Sequence, residues 1–244
     1  MKRIILVSAV LTVAAFAVTG VRVVAQDGAA VPMTTRPAGW GMTGDNPGGY
    51  DVALDTAIKH GGNTSATLRA KPAAVADKFG SLVSSIRPDK FRGKRVRFSG
   101  YLKTNDVGGH AAMWIRIDGP NIDMLDFSNM DERPIKGTSD WKRYDLVVDV
   151  PANAEAIVYG AFLRGQTGQM WIDDVELVAV GSNVAKTSNP ISEQDRREME
   201  EEAKKIPKEE IDKTISKYRQ LPVQPVNLDF EQLPAMPIAT PKRP

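Results

Sequence analysis

Two successive stretches of the sequence alternate apolar residues with residues suited to ligand binding. Arg97 and Tyr101 share one parity in the first stretch, and Trp114 and Arg116 share one parity in the second. Successive side chains of a strand point to opposite faces, so each pair lies on the polar face of its strand. An aromatic ring packs against the C–H face of a sugar, and guanidinium groups bind hydroxyls or carboxylates directionally. If the strands are neighbours, these four residues form one ligand-binding patch.

A second interpretation of the same residues stays open. Trp114 is then covered by a loop, and Arg116 is paired with Asp118 or another acid. Exposed aromatic patches often mark interaction sites, but a covered one contributes only to packing. The exposure of Trp114 therefore decides between the two interpretations.

Catalysis requires groups held in fixed mutual geometry, and the sequence does not predict such a set. The two histidines, His60 and His110, lie in Gly-rich, loop-like surroundings, and no nucleophile elbow, phosphate-binding loop or His-Glu-x-x-His motif is present. Scattered acids could in principle supply two carboxylates for glycoside hydrolysis, although no spacing fixes their separation. The sequence predicts a non-catalytic protein, with a glycan-processing enzyme as an alternative. The acids considered are Asp51, Asp55, Asp118, Asp123, Asp126, Asp131 and Glu132.

The composition excludes several classes of site. Among 244 residues, 42% are apolar, 25% are charged and none is cysteine, so disulfides and Cys-ligated metals are excluded in a globular chain. Lys2, Arg3 and Arg22 fall in an amino-terminal segment, and subtracting these three from the net charge of +2 leaves −1. A basic nucleic-acid-binding face is therefore not expected, and no nucleic-acid partner is predicted.

The amino end has the pattern of a secretory signal peptide. Lys2 and Arg3 precede an apolar run over residues 4–18, and small residues lead to a cleavage site near Ala25. The run is shorter than the roughly 20 residues that a membrane-spanning helix needs. We expect residues 1–25 to be removed, no stable membrane span to remain, and the mature protein to be periplasmic or extracellular.

The pattern between residues 39 and 180 predicts an all-β domain. Short apolar alternations are separated by Gly, Pro, Asn and Asp, which is typical of an antiparallel two-sheet sandwich. A helical turn is expected within residues 73–84, where Val75, Phe79 and Val83 are four apart. Strands are predicted at residues 51–58, 65–70, 94–104, 111–118, 124–127, 142–150, 156–164 and 169–180.

The segments outside this domain differ in composition. Residues 26–38 are predicted to be a flexible leader, and residues 181–190 a polar linker. Residues 191–220 carry two narrow apolar stripes that predict two short amphipathic helices, and residues 221–244 are Pro-rich and expected to be extended.

Four motifs in order resemble an accessory domain attached to some bacterial transcriptional regulators and secreted hydrolases. They occupy residues 92–104, 113–119, 129–141 and 168–175. That domain resembles a galactose-binding-like jelly roll, the fold shared with many carbohydrate-binding modules, and the resemblance covers roughly residues 39–180. It implies a two-sheet jelly-roll sandwich much more than it implies an activity.

The resemblance also implies two local features. Domains of this kind commonly hold a structural calcium near an acid pair, which suggests Asp173 and Asp174, although adjacent strand residues point to opposite faces and solvated acids are the alternative. The usual opening strand is missing ahead of Trp40 and appears at residues 227–231. We expect this displaced strand to fill the vacant position with Leu228 and Phe230; a truncated second module or a swapped strand is the alternative.

Together these features predict a secreted, non-catalytic carbohydrate- or ligand-binding module of the cell envelope. Its partner is then a glycan or an envelope protein. The alternatives are a structural or protein-binding envelope protein that binds no sugar, and the glycan-processing enzyme with an unrecognised carboxylate pair.

Overall fold

The computed structural model describes residues 36–188 and 192–232. The predicted signal peptide, the leader up to residue 35 and the tail from residue 233 lie outside the described residues. The described chain forms nine strands and two α-helices: β1 Gly41–Gly44, β2 Tyr50–Asp55, β3 Ser65–Ala70, β4 Phe79–Ile86, β5 Lys94–Asp118, β6 Met124–Ser128, β7 Ile135–Val150, β8 Ala156–Arg164, β9 Gln169–Val180, α1 Glu193–Lys204 and α2 Lys208–Tyr218.

Strand β5 runs through both layers of an antiparallel sandwich. Its first half, to Asn105, pairs with β7 and β9, and its second half, from His110, pairs with β8 and β6. This gives a first sheet ordered β2-β3-β9-β5-β7 and a second sheet ordered β1-β4-β8-β5-β6. The expected all-β, two-sheet jelly-roll fold is confirmed. The strands predicted at 94–104 and 111–118 are one strand, because irregular pairing with β7 near Val107 bends β5 without ending it.

The core lies between the two sheets. Val96, Phe98 and Leu102 of β5 are fully buried and point inward, while Arg97 and Tyr101 point outward. Burying a large apolar side chain stabilises the fold by about 1.5–3 kcal/mol before entropy is counted. The alternation that predicts the strands therefore also decides which residues form the outer faces.

Residues 73–84 do not form the predicted helical turn. Strand β4 pairs along its whole length with β8, from Phe79 opposite Arg164 to Ile86 opposite Ile157. Phe79, Leu82 and Ile86 are buried. The pairing satisfies the backbone hydrogen-bonding groups and buries apolar side chains. This stabilises the strand more than the four-residue spacing of Val75, Phe79 and Val83 could stabilise a helix.

The segment after β9 is held against the sandwich. Thr187 accepts a bond from the Val147 N–H at 2.8 Å, its own N–H donates to the Val147 carbonyl at 3.0 Å, and its hydroxyl bonds to Ser128. Helix α1 begins at Ser192, whose hydroxyl accepts the Asp195 N–H. The predicted linker is therefore attached to β6 and β7 over its described part, up to residue 188.

Helix α2 packs on the outer face of the second sheet. Ile215 and Tyr218 are buried in a cluster with Ala156 and Val158 of β8, and Trp114 of β5 packs against the same cluster. No helix within residues 36–188 and 192–232 is long and apolar enough to cross a membrane.

The segment after α2 returns to the sandwich without forming the strand predicted at 227–231. Asn227 and Phe230 have φ of 53° and 57°, which is left-handed backbone and breaks an extended conformation. Phe230 is fully buried in the core, with its ring centroid 5.1 Å from that of Trp40. Its neighbour Leu228 is half-buried against the same core.

Hydrogen bonds hold this turn in place of sheet pairing. The Trp40 indole N–H donates to the Asn227 carbonyl at 3.0 Å, and the Val175 N–H donates to the Leu228 carbonyl at 3.0 Å. The Thr64 hydroxyl donates to the Phe230 carbonyl at 2.6 Å. These bonds satisfy the backbone carbonyls that would otherwise pair in a sheet, so a turn can occupy the position expected for the displaced strand.

Candidate functional site

The outer face of the first sheet carries a group of aromatic rings. His60, in the loop after β2, stacks on Tyr101 of β5 with ring centroids 3.6 Å apart and planes 16° apart. Trp141 of β7 approaches the same imidazole edge-on, with centroids 5.7 Å apart. His60 is exposed, and Tyr101 and Trp141 are half-buried. Three rings from three elements thus form an aromatic cluster at the sheet surface, called the platform below, in which His60 covers one face of Tyr101.

The His60 loop is fixed by Asp173 and Asp174 of β9. Oδ2 of the buried Asp173 accepts the N–H groups of His60 at 2.8 Å and Gly61 at 3.1 Å. Burial raises the pKa of Asp173, and these backbone bonds oppose that rise. Oδ2 of Asp174 lies 2.6 Å from Nδ1 of His60. A Cβ on Gly61 would lie 2.6 Å from the Asp174 carboxylate, so a side chain there would push that carboxylate away from its present position.

Asp173 and Asp174 were expected to point to opposite faces of the sheet or to be solvated. In the structure both contact the His60 loop. Asp174 has a φ of 46°, and the register of β9 with β5 shifts between Ser99 and Tyr101. This bulge turns both carboxylates towards the His60 loop. Within the described residues, no group of three or more His, Asp or Glu side chains is placed to hold a metal ion. The visible role of Asp173 and Asp174 is to anchor the loop.

An open groove of ≈ 620 Å³ lies beside the stacked rings. On the sheet side, Arg143 of β7 forms ion pairs at 3.1 Å with both Asp145 and Glu176. The hydrogen bond that Arg143 donates to the Asp145 carboxylate raises the pKa of Arg143. The opposite wall comes from the segment after α2. The groove is lined by His60, Tyr101, Arg143, Asp174, Val175, Glu176, Pro225, Asn227, Leu228, Asp229 and Gln232.

The structure divides the four predicted ligand-binding residues between two sheets. Arg97 and Tyr101 lie on the outer face of the first sheet, in the half of β5 that pairs with β9. Trp114 and Arg116 lie in the half of β5 that pairs with β8, in the second sheet. Because β5 passes from one layer to the other, side chains that point outward in its first half and in its second half lie on the outer faces of different sheets. Of the four, Tyr101 lines the groove.

Trp114 and Arg116 are half-buried on the outer face of the second sheet, beside α2. The Trp114 indole N–H donates to Oγ of Ser81 at 2.8 Å. Nε of Arg116 pairs with Oδ1 of the buried Asp118 at 2.7 Å, as the second sequence interpretation expected. Tyr218 of α2 donates its hydroxyl to Oδ2 of Asp118 at 2.6 Å. A helix, rather than a loop, therefore covers this face.

Sequence reasoning missed His60 and the wall formed by the segment after α2. His60 was expected to be an ordinary loop residue, yet it stacks on Tyr101. The Gly61-Gly62 pair that follows it marks an unusual loop, but no local signal names Asp173 as its anchor. The motif at residues 227–231 indicated that the chain returns to the sandwich, but it did not predict that this segment lines a ligand groove.

One curated relative and several solved structures are similar to this chain. No protein-family model matches the sequence. A curated relative, described as the uncharacterized HTH-type transcriptional regulator YbfP of Bacillus subtilis strain 168, is 34% identical over 156 residues, which are 64% of this chain and 52% of the relative. The chain thus spans about half the length of that relative.

Several solved structures are similar to this one. The enzymatically active domain of bacteriophage CBA120 tailspike protein 4 has a TM-score of 0.47 and 14% identity, over 59% of this chain and 20% of that one. The CBM22-1 xylan-binding domain of Paenibacillus barcinonensis Xyn10C has a TM-score of 0.45 and 13% identity, over 62% and 91%. The module TmCBM61, solved with β-1,4-galactotriose, has a TM-score of 0.41 and 11% identity, over 60% and 92%. Two of these three are carbohydrate-binding modules.

Proposed function

We propose that this protein is a non-catalytic carbohydrate-binding module whose ligand lies in the groove beside Tyr101. The observation that carries the proposal is the platform of His60, Tyr101 and Trp141 on an open sheet face. Aromatic rings on an open β-sheet offer an apolar surface to the C–H face of a sugar ring. The platform is flanked by Arg143, whose side chain is 41% exposed.

The polar groups beside the platform suit sugar hydroxyls. Arg143 presents a planar set of donors, and Glu176, with a side chain 53% exposed, presents acceptors. Both are already oriented by their mutual ion pair, so less side-chain entropy is lost when a ligand binds. Binding then combines apolar contact with directional hydrogen bonds, which is the usual composition of a small-molecule site.

The carboxylates of the groove support binding rather than hydrolysis. Asp174 pairs with His60, and Glu176 pairs with Arg143. A glycosidase needs one carboxylic acid kept protonated in an apolar site and a second carboxylate facing it. Asp174, Glu176 and Asp229 are all accessible to solvent instead, so none of the three lies in the apolar site that a protonated acid needs.

A glycan array tests the proposal. We expect the wild type to bind one class of glycan, and Arg143→Ala to weaken that binding by about ten- to a hundredfold, because a charge-assisted hydrogen bond contributes about 1.5–3 kcal/mol. The matched control is Arg69→Ala. Arg69 is also an exposed arginine on the first sheet, paired with Asp51, and it lies outside the groove.

Two results would overturn the proposal. Failure of the wild type to bind any glycan, together with capture of an envelope protein, would favour the protein-binding alternative. Release of reducing ends from a bound glycan, lost in Glu176→Gln, would show a glycan-processing enzyme.

A further inference from the structure

The groove of the proposed function has an acidic lining. Three of its lining residues carry carboxylates, Asp174, Glu176 and Asp229, against the guanidinium of Arg143 and the imidazole of His60. Arg143 also pairs with Asp145, so its charge is shared between two carboxylates. A cleft lined by charges of one sign concentrates the field within it.

The three carboxylates differ in their surroundings. Asp174 lies 2.6 Å from His60, and Glu176 lies 3.1 Å from Arg143. Asp229 lies on the opposite wall and is exposed, and its carboxylate accepts a long bond of 3.4 Å from the Glu231 N–H. Asp229 therefore faces the groove without a cation to offset its charge among the contacts that the structure describes.

The position of Asp229 is fixed by the core. Phe230, the next residue, is fully buried, and the carbonyl of Leu228 on the other side accepts the Val175 N–H at 3.0 Å. Glu231 binds the N–H groups of Asn63 and Thr64, which ties the turn to the loop that carries His60. The wall is thus a fixed part of the groove, and the charge of Asp229 is held at its rim.

We propose that the groove selects non-acidic glycans and rejects glycans that carry carboxylates, and that Asp229 is a specificity-determining residue for this selection. This inference rests on the proposed carbohydrate-binding function. A uronic acid placed over the platform would bring a negative charge among three carboxylates. Like-charge juxtaposition gives specificity by penalising the wrong ligand.

Charge-matched pairs of oligosaccharides test the inference. Cellohexaose, β-1,4-galactohexaose and β-1,4-mannohexaose are each compared with the same sugar oxidised at C6 to the carboxylate, and hexagalacturonate is compared with its methyl ester. We expect the uncharged member to bind at least fivefold more tightly at low ionic strength, with the ratio decreasing as salt is added.

Asp229→Asn separates the role of this residue from that of the groove. The substitution removes the charge and keeps the shape, so we expect the acidic member to gain roughly three- to fivefold relative to its uncharged partner. The matched control is Asp51→Asn, an acid on β2 that pairs with Arg69 and Lys71 outside the groove.

The outcomes distinguish this inference from the proposed function. Binding of an acidic member as tightly as its uncharged partner overturns charge selection while the carbohydrate-binding function stands. If Asp229→Asn and Asp51→Asn have the same ratio of affinity for the uncharged sugar to affinity for the acidic sugar, the proposed role of Asp229 is wrong. Absence of binding to these sugars and to every glycan of the array overturns the proposed function, and the inference with it.

Discussion

The hydroxyl of Tyr218 donates to the buried carboxylate of Asp118 at 2.6 Å, and this bond joins α2 to the second sheet. Arg116 pairs with the same carboxylate, so one acid receives donors from both the sheet and the helix. Burial, together with the nearby Asp118 charge, raises the pKa of Tyr218, which keeps its hydroxyl protonated as a donor. The relationship explains why the face that holds Trp114 is covered.

Tyr218→Phe tests this bond. The substitution removes one donor from a buried carboxylate, and we expect it to lower the free energy of unfolding by about 1–3 kcal/mol. Urea denaturation at pH 7 measures the change. An unchanged denaturation midpoint would mean that water replaces the hydroxyl and that α2 is not held by this contact.

Trp114→Ala should act on stability rather than on ligand binding. Its half-buried ring packs against the cluster that α2 and β8 form, so we expect a loss of about 3 kcal/mol in the free energy of unfolding. Trp141→Ala is the matched control, because Trp141 lies on the open platform; it should change stability by less than about 1 kcal/mol and weaken glycan binding. If Trp114→Ala weakened glycan binding and Trp141→Ala lowered stability instead, the ligand site would lie at Trp114.

Phe230→Ala tests the turn that fills the end of the sandwich. The side chain is fully buried beside Trp40, and its removal should cost about 3–5 kcal/mol. Val178→Ala, at a valine 36% exposed on β9, is the control and should cost under about 1 kcal/mol. A wild-type melting temperature that rises with protein concentration would instead show that the segment is exchanged between molecules.

Acid should weaken the attachment of the same turn through Glu231. Backbone N–H groups of Asn63 and Thr64, with the Asn63 side chain, lower the pKa of Glu231 in the folded state. A lowered carboxyl pKa contributes stability above the unfolded pKa, near 4.3, and loses it as pH falls through the folded value. Glu231→Gln should therefore be less stable than the wild type at pH 7, and the difference should vanish in acid. A difference that is constant with pH would contradict this linkage.

Export is expected from the amino-terminal pattern. Mass spectrometry of the protein from its native cell envelope should show a mature chain that begins near residue 26, because the apolar run is short for a membrane span and small residues after it lead to a cleavage site near Ala25. Retention of residues 1–25 in a membrane fraction would indicate an anchor. Retention in a soluble intracellular fraction would contradict export.

Alternation in β5 and a continuous apolar run in β8 both predicted strands of an all-β fold. In β5 a two-residue period separates inward from outward side chains, whereas β8 is buried throughout residues 156–163. Both patterns are local properties of the chain. The inward direction of Val96, Phe98 and Leu102 and the outward direction of Tyr101 follow from the period of β5. The segment at 227–231 also indicated that the chain returns to the sandwich, although not in which conformation.

Only the tertiary structure decided which outward residues meet. Tyr101 and Trp114 share a strand and an outward direction, but β5 crosses between layers, and α2 covers one of the two faces. His60 reaches Tyr101 because Asp173, distant in sequence, binds its loop through a bulge at Asp174. Such contacts depend on crossing of layers, local left-handed backbone and long-range burial. No single-segment period encodes them. The sequence alone therefore determined most of the strands and the inward side of β5, but not β1 or β4, and packing between distant segments determined the groove.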